Sequence, residues 1–561
     1  MKLLFFTVDL ERTERVDDLV GFRGPRGPSL RERLCGRVVA GVAAAICVSG
    51  AAVAGCSIGS GGPPLATDPP SWLPTSLGVS TNEPGTVQLD ITSTPAGASV
   101  LVDGHERGKT PLTVAVGKGP HALRLTHPLA ADDQRQLDIS SDMHVNVTMF
   151  ERRPDAVQLK PAYPGASINA ASFLDDGRVA LAMGLPGQAG DGMINEAWIF
   201  DPASGTLTPF AAIGNPRAGI VVVSPDGDRV AYARPVQGDS TQRKRLAEVV
   251  VAGSYGATAA PVFALSQAKD ISAKGEVEEV RDVAWAPDSR RLLVVVRLAG
   301  VAGRPPTASR SRIVLVDAVP SDGQQSPATE LLTLPAEVVA GSYSWAPDGH
   351  WVALLTRATN GTGGTDFTAL CALDINAAGD VGGFRYVADL ARQSDPASLI
   401  PVADVAWSPA GHSRLLYTAP TPRYTVSNPL GLPTTSGGDP GLFAAIPAGP
   451  ALTAEEGQRV GSATGLVAPA WLATGDAAER LITLARSDKG SKPLVIQGVD
   501  AVSGAIQNLG ITLPTGAGGS AAVGARWDVR HGRLLLLARR GNANPGLDYW
   551  VVQVLARDAE S

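Results

Sequence analysis

The string Asp103-Gly104-His105-Glu106-Arg107-Gly108-Lys109-Thr110 ends in the Gly-Lys-Thr with which a glycine-rich loop holds a nucleotide phosphate. The chemistry fails on spacing, because Asp103 occupies the place of the first glycine and Gly104 comes one residue late. It also fails on context, since the loop must open a helix whose N-terminal amides face the phosphate, and Pro111 instead introduces an alternating strand pattern. No nucleotide is expected. The one Gly-x-Ser-x-Gly match, Gly55 to Gly59, lies in an apolar leader rather than at a strand-to-helix turn, so Ser57 is no nucleophile. His105, His121, His127 and His144 lack metal-ligand spacing, and His350, His412 and His531 each sit beside a repeated turn. Asp226, Asp288 and Asp348 recur at equivalent turn positions, which favours turn formation over paired-carboxylate catalysis. The expectation is a chain that is not an enzyme and holds no metal and no cofactor.

The elements that position these residues are strands. Among 561 residues there are 63 glycines and 43 prolines, a turn-rich composition that favours many short strands over a helical bundle. With 44% hydrophobic residues the chain is no disordered polymer, and a net charge of -6 without a basic stripe leaves no footprint for nucleic acid. One unit recurs from residue 156 to 558: a short strand, a Pro-Asp-Gly type turn, an apolar strand, a variable loop and a third apolar strand. Seven copies align on Phe173, Val223, Trp285, Trp345, Trp407, Trp471 and Trp527, spaced 50 to 64 residues apart. An aromatic at that position reads as packing between repeats. Third strands are expected at 196–201, 247–252, 312–317, 367–374, 441–446, 493–500 and 549–555.

Four short strands per repeat of this length is a propeller-blade signature, and the Trp-Ser-Pro-Asp-Gly core resembles that of TolB-like and WD-repeat-like β-propellers. The last copy lacks a fourth strand, so the strand at 156–161 is expected to complete that blade and close the ring. Residues 86–150 alternate with a period of two in six short stretches, the pattern of a small β-sandwich. Pro95-Ala96-Gly97-Ala98, Val102-Asp103-Gly104, Gly108-Lys109-Thr110-Pro111 and Gly119-Pro120-His121 resemble the motifs of a PEGA domain, with Ala96 in the place of its glutamate. The resemblance implies a surface-associated, non-catalytic module. The fold class expected is therefore all-β: a PEGA-like sandwich followed by a seven-bladed propeller.

Residues 1–55 read as a signal segment. Arg31, Arg33 and Arg37 precede an uncharged run from Val38 to Gly55, followed at once by Cys56. Val53-Ala54-Gly55-Cys56 resembles the bacterial lipobox, which implies lipidation of Cys56; an uncleaved single-span anchor is the alternative and leaves the same part outside. Residues 56–85, rich in Gly, Pro, Ser and Thr, form a lipidated start and a flexible tether. Beyond Cys56 the only cysteine is Cys371, in an apolar strand pattern, so it reads as a buried small hydrophobe.

These features point to a bacterial, extracytoplasmic, membrane-anchored binding or scaffold lipoprotein, with the propeller as platform for a protein or glycan. The alternatives are a propeller enzyme acting on envelope carbohydrate or peptide, and an accessory or sensor subunit of an envelope complex. Five long insertions fall between second and third strands, at 235–246, 298–309, 357–366, 419–440 and 540–547. Loops on a rigid scaffold are where binding usually resides. Arg243, Lys244, Arg245, Arg304, Arg357 and Arg423, with Tyr424 as an aromatic anchor, are the candidate partner-binding residues and suggest an acidic or glycan-bearing partner.

Overall fold

The computed structural model describes residues 85–185, 194–213, 218–235, 246–254, 259–265, 276–300, 310–318, 328–339, 343–358, 366–375, 381–393, 405–407, 415–419, 441–445, 458–461, 466–474, 477–485, 495–499, 506–513, 522–539 and 547–557, some strands by backbone alone. All regular structure in them is β.

The first domain is a sandwich of two sheets. One has the order Leu112–Gly117, Thr86–Thr94, Met143–Thr148; the other His105–Lys109, Ser99–Val102, Gly119–Thr126, Asp133–Ile139. Inward residues of both sheets, among them Leu89, Ile91, Val100, Leu123, Leu125, Ile139 and Val145, interdigitate as one core. The sandwich therefore has seven strands where the alternation shows six. The extra strand is His105–Lys109, whose residues are nearly all exposed, so it lacks the apolar alternation that marks the others. It forms a two-residue hairpin with Ser99–Val102, with Val102 opposite His105 and left-handed φ at Asp103 and Gly104. Gly108 and Lys109 thus lie in a strand, which is the structural reason no phosphate loop forms.

Seven further sheets follow. Blade 1 is Ser167–Phe173, Val179–Gly184, Glu196–Asp201 and Thr206–Ala212; blade 2 is Ile220–Val223, Arg229–Pro235, Leu246–Gly253 and Ala260–Ala264. Blade 3 is Glu276–Trp285, Arg291–Gly300, Arg310–Asp317 and Thr329–Leu334. In blade 4 the first strand is split into Glu337–Val338 and Ser344–Trp345, before Trp351–Ala358, Asp366–Ile375 and Val381–Gln393. Blade 5 is Val405–Trp407, Leu415–Ala419, Gly441–Ala445 and Gln458–Gly461; blade 6 is Leu466–Thr474, Ala477–Ala485, Val495–Val499 and Ile506–Thr512. Blade 7 combines Ala522–Asp528, Arg533–Arg539 and Leu547–Leu555 with Phe150–Gln158 as its outer strand. The chain is all-β, a sandwich followed by a seven-bladed propeller.

Apolar faces of neighbouring blades pack on one another. One core runs through blades 1 to 3, others join 3 to 4, 4 to 5 and 6 to 7, and Leu535, Leu537, Tyr549 and Val551 of blade 7 meet Phe173, Leu181 and Trp198 of blade 1. Of the aligned tryptophans, Trp285, Trp345, Trp407 and Trp527 lie in these seams. Trp285 Nε1 donates to Val222 O at 3.0 Å and Trp407 Nε1 to Ser344 O at 2.7 Å, so each indole ties its blade to the first strand of the blade before it.

The outer strand of blade 7 starts at Phe150, six residues earlier than the alternation of 156–161 suggests, because its first half, Phe-Glu-Arg-Arg-Pro, carries no period of two. No linker separates the two domains. Phe150 is 3% exposed and belongs to the core of blades 6 and 7, while Ala556, past the last strand of the propeller, belongs to the sandwich core. Backbone bonds Ala131 N to Phe150 O and Ala556 N to Met149 O, both 2.8 Å, fasten the crossing.

Candidate functional site

In every blade the strands are antiparallel, so the end of the first strand, the start of the second and the end of the third lie at one face, the turn face. The ends paired as Pro235 with Leu246, Leu298 with Arg310, Ala358 with Phe367, Ala419 with Gly441 and Arg539 with Leu547 lie at the other face, together with the connections between blades. All five insertions depart from that face. Of the candidate partner-binding residues, Arg243, Lys244, Arg245, Arg304, Arg423 and Tyr424 lie outside the described residues, as does Cys56. Arg357 stands at the end of the second strand of blade 4, with its backbone opposite Glu337 and Thr368.

Beside Arg357 the structure gathers charged groups that motif reading passes over. The inner strand of blade 3, Glu-Val-Glu-Glu-Val-Arg-Asp-Val-Ala-Trp, is charged where the first strand of blade 2 reads Ile-Val-Val-Val. Arg281 and Arg297 reach Glu337 of blade 4, with Nε to Oε1 distances of 3.8 and 3.7 Å, and Arg312 Nη2 donates to Glu278 at 2.9 Å. Asp282, 2% exposed, accepts from Val283 N at 2.8 Å and faces the equally buried Tyr343. Burial, reinforced by the Asp282 charge, holds the Tyr343 phenol well above its ordinary value, so it stays neutral. A β-bulge at Arg281 turns this segment. The seam between blades 3 and 4 thus presents half-buried guanidinium and carboxylate groups near the face that bears the insertions. The signal in the sequence was the density of charge in an inner strand.

The turn face is built differently. Asp176, Asp226, Asp288 and Asp348 each accept a bond from the backbone N–H two residues on, at 2.8 to 3.1 Å. Burial pushes the Asp226 carboxyl up, but the Ser224 hydroxyl, the Asp228 N–H and Arg229 outweigh it and hold it below its ordinary value. Turns also bond from blade to blade: Asp175 N to Pro225 O, Asp226 N to Ser289 Oγ, Arg291 Nη2 to Gly349 O, and across the closure Arg533 Nη1 to Gly177 O at 2.5 Å. His531 Nδ1 lies 2.9 Å from Asp528 Oδ2 within its own turn. These aspartates and this histidine are occupied in holding turns. Among the described residues no cluster of His, Cys, Asp and Glu could hold a metal ion, and no helix is long and apolar enough to cross a membrane.

In the sandwich the motif residues hold one another. Thr110 Oγ1 accepts from Gly97 N and Ala98 N at 3.1 and 3.0 Å and lies 2.5 Å from Ser93 Oγ, which fastens the Pro-Ala-Gly-Ala turn. Asp103 Oδ2 meets His121 Nδ1 at 2.7 Å and Oδ1 accepts Ala122 N at 2.9 Å. The hydrogen bond from His121 draws the Asp103 carboxyl below its ordinary value, and the same bond raises His121.

Comparison with known proteins adds three findings. Residues 86–153 match the PEGA domain. No curated protein matches the sequence. Among solved structures the chain is similar to the Dos1 propeller, at 10% identity and a TM-score of 0.37, over 83% of this chain and 94% of that one. It is similar to prolyl oligopeptidase B from Galerina marginata at 12% identity and a TM-score of 0.35, over 67% of this chain and 47% of that one. Hydrazine synthase of Kuenenia stuttgartiensis matches at 11% identity and a TM-score of 0.28, over 62% and 80% respectively. The expectation of a chain that is not an enzyme is corrected by these names, because enzymes stand among the structures found and the architecture gives no ground for ruling catalysis out. At such identities they assign this chain no reaction.

Proposed function

We propose that this chain is a membrane-anchored, extracytoplasmic platform whose insertion-bearing propeller face engages a partner with an acidic surface. The observation that carries the reading is the register of the strand ends. In five blades the ends that bracket a long insertion lie at one face, so the long non-repeating segments are concentrated there, while on the opposite face the described turns of blades 1 to 4 and 7 bond to one another. Arg243, Lys244, Arg245, Arg304 and Arg423 belong to those insertions and Arg357 to the edge of one, which supports an acidic partner. The anchor rests on the order of charge, apolar run and Cys56 at the N-terminus, and the extracytoplasmic side on that order together with the PEGA match.

The test compares two full-length variants that retain the wild-type circular dichroism spectrum. In one, the 419–440 insertion is shortened and Arg243, Lys244 and Arg245 are neutralised; in the other, the exposed turn residues Asp228 and His350 are replaced by Lys and Glu. Crosslinking in intact cells should lose the partner adduct in the first variant only. Loss in the turn variant alone refutes the assignment of the binding face.

A further inference from the structure

We infer that the sandwich is a rigid spacer locked to the turn face of the propeller, so that the tether joins at the end remote from the insertion-bearing face and biases that face away from the anchoring membrane, toward a partner beyond it. The argument follows strand directions. Phe150 pairs with Leu555 and Gln158 sits opposite Trp550. The strand Leu547–Leu555 leaves the insertion-bearing face and ends beside the 529–532 turn, where Val554 N and Leu555 N bond to Gly532 O at 2.8 and 2.9 Å. The chain therefore enters the propeller at the turn face, and the sandwich is attached there.

The other end of the sandwich is fixed by a parallel pairing. Thr86–Thr94 lies beside Met143–Thr148 in the same direction, Leu89 opposite Met143 and Thr94 opposite Thr148, and Met149 N bonds to Thr94 O at 2.9 Å. Thr148 leads directly into the propeller, so Thr94 is at the propeller end and Thr86, where the tether arrives, is at the far end. Nine residues at ~3.3 Å each make the sandwich strand roughly 30 Å long. The junction resists bending because it is crossed twice. Phe150 is buried in the core of blades 6 and 7 and Ala556 in the core of the sandwich, and the bonds Ala131 N to Phe150 O, Ala556 N to Met149 O and Arg152 Nη2 to Ala130 O, each 2.8 Å, would all break on hinging. Tether, sandwich, turn face and insertion-bearing face thus follow in that order.

The orientation rests on the anchored reading of Cys56, whereas the attachment does not, and the experiment separates them. Donor fluorophores are placed on Ala203→Cys, exposed at the turn face, or Ala212→Cys, exposed at the opposite end of the same blade; Cys371 is fully buried and stays unlabelled. The strand between them, Thr206–Ala212, separates the sites by roughly 20 Å. The full chain, purified from membranes, is bound to vesicles carrying a headgroup acceptor. Energy transfer should be greater from position 203 than from 212. Equal or reversed transfer overturns the orientation. Failure to sediment with vesicles refutes the anchor, and with it the outward orientation. In that case the attachment is read from label pairs within a chain whose Cys35, Cys47 and Cys56 are replaced by Ser, Ser141→Cys at the far end of the sandwich with each site. A shorter distance to 203 than to 212 upholds the locked spacer, and equal distances overturn it.

Discussion

Replacing the aligned tryptophans one at a time by phenylalanine probes the packing between blades at three equivalent positions. Trp285, Trp345 and Trp407 are 1%, 3% and 7% exposed, so Trp→Phe removes a similar buried area from each, a common cost of roughly 1–2 kcal/mol. They differ in their indole N–H. Trp285 donates to Val222 O and Trp407 to Ser344 O, while Trp345 Nε1 is buried with no hydrogen-bond partner among the described residues. Trp285→Phe and Trp407→Phe therefore lose a bond and strand an acceptor, whereas Trp345→Phe removes a donor that was already unsatisfied. The two bonded positions should lose about 1–2 kcal/mol more than Trp345, a difference of about 5- to 30-fold in the unfolding constant. Guanidinium unfolding followed by far-ultraviolet circular dichroism measures it, with coincidence of a second probe as the check on two-state behaviour. Equal losses at all three, or the largest at Trp345, would refute the claim that these indoles join the blades through hydrogen bonds.

Thr110→Val should destabilise the sandwich by about 1–3 kcal/mol, because the buried N–H of Ala98 loses its Thr110 Oγ1 acceptor; faster hydrogen exchange at Ala98 checks it. The Asp103–His121 pair has a pH window. Stability from raised His121 is fully present below its ordinary 6.5 and is lost as pH rises through the raised value, and that from lowered Asp103 is present above 3.8 and lost as pH falls through the lowered one. The sandwich should gain most from the pair between those two ordinary values, and by NMR His121 should titrate above 6.5 and fall back in Asp103→Asn, since Asn tolerates the left-handed φ of 52° found there. Gly532→Ala should weaken ring closure by more than about 2 kcal/mol, because φ is 65° and a Cβ would stand 2.5 Å from Leu555 Cβ; a melting temperature equal to wild type would contradict this.

What the sequence made legible was whatever repeats. Trp285, Trp345 and Trp407 mark equivalent strand ends because the same packing problem recurs in each blade, and Ser224-Pro225-Asp226-Gly227 recurs because each hairpin needs the same turn. Elements without period were not legible. His105–Lys109 is an exposed edge strand and has no apolar face to show. Glu337–Val338 splits from Ser344–Trp345, and a two-residue strand carries no pattern. The seam of Arg281, Arg297 and Glu337 joins residues far apart in sequence through the approach of two blades, and the bond from Arg533 to Gly177 spans 356 residues across the closure. Charge in the strand of Arg281 was visible; its partner on the next blade was not.

The most direct measurement of the central claim is photo-crosslinking in intact cells from one position on each propeller face. A crosslinking amino acid is placed either at Pro335, exposed in the connection between blades 3 and 4 on the insertion-bearing face, or at Ala203, exposed on the turn face. The account predicts an adduct from 335 that disappears when Arg243, Lys244 and Arg245 are neutralised, and none from 203. An adduct from 203 alone, or one from 335 indifferent to those charges, would contradict it.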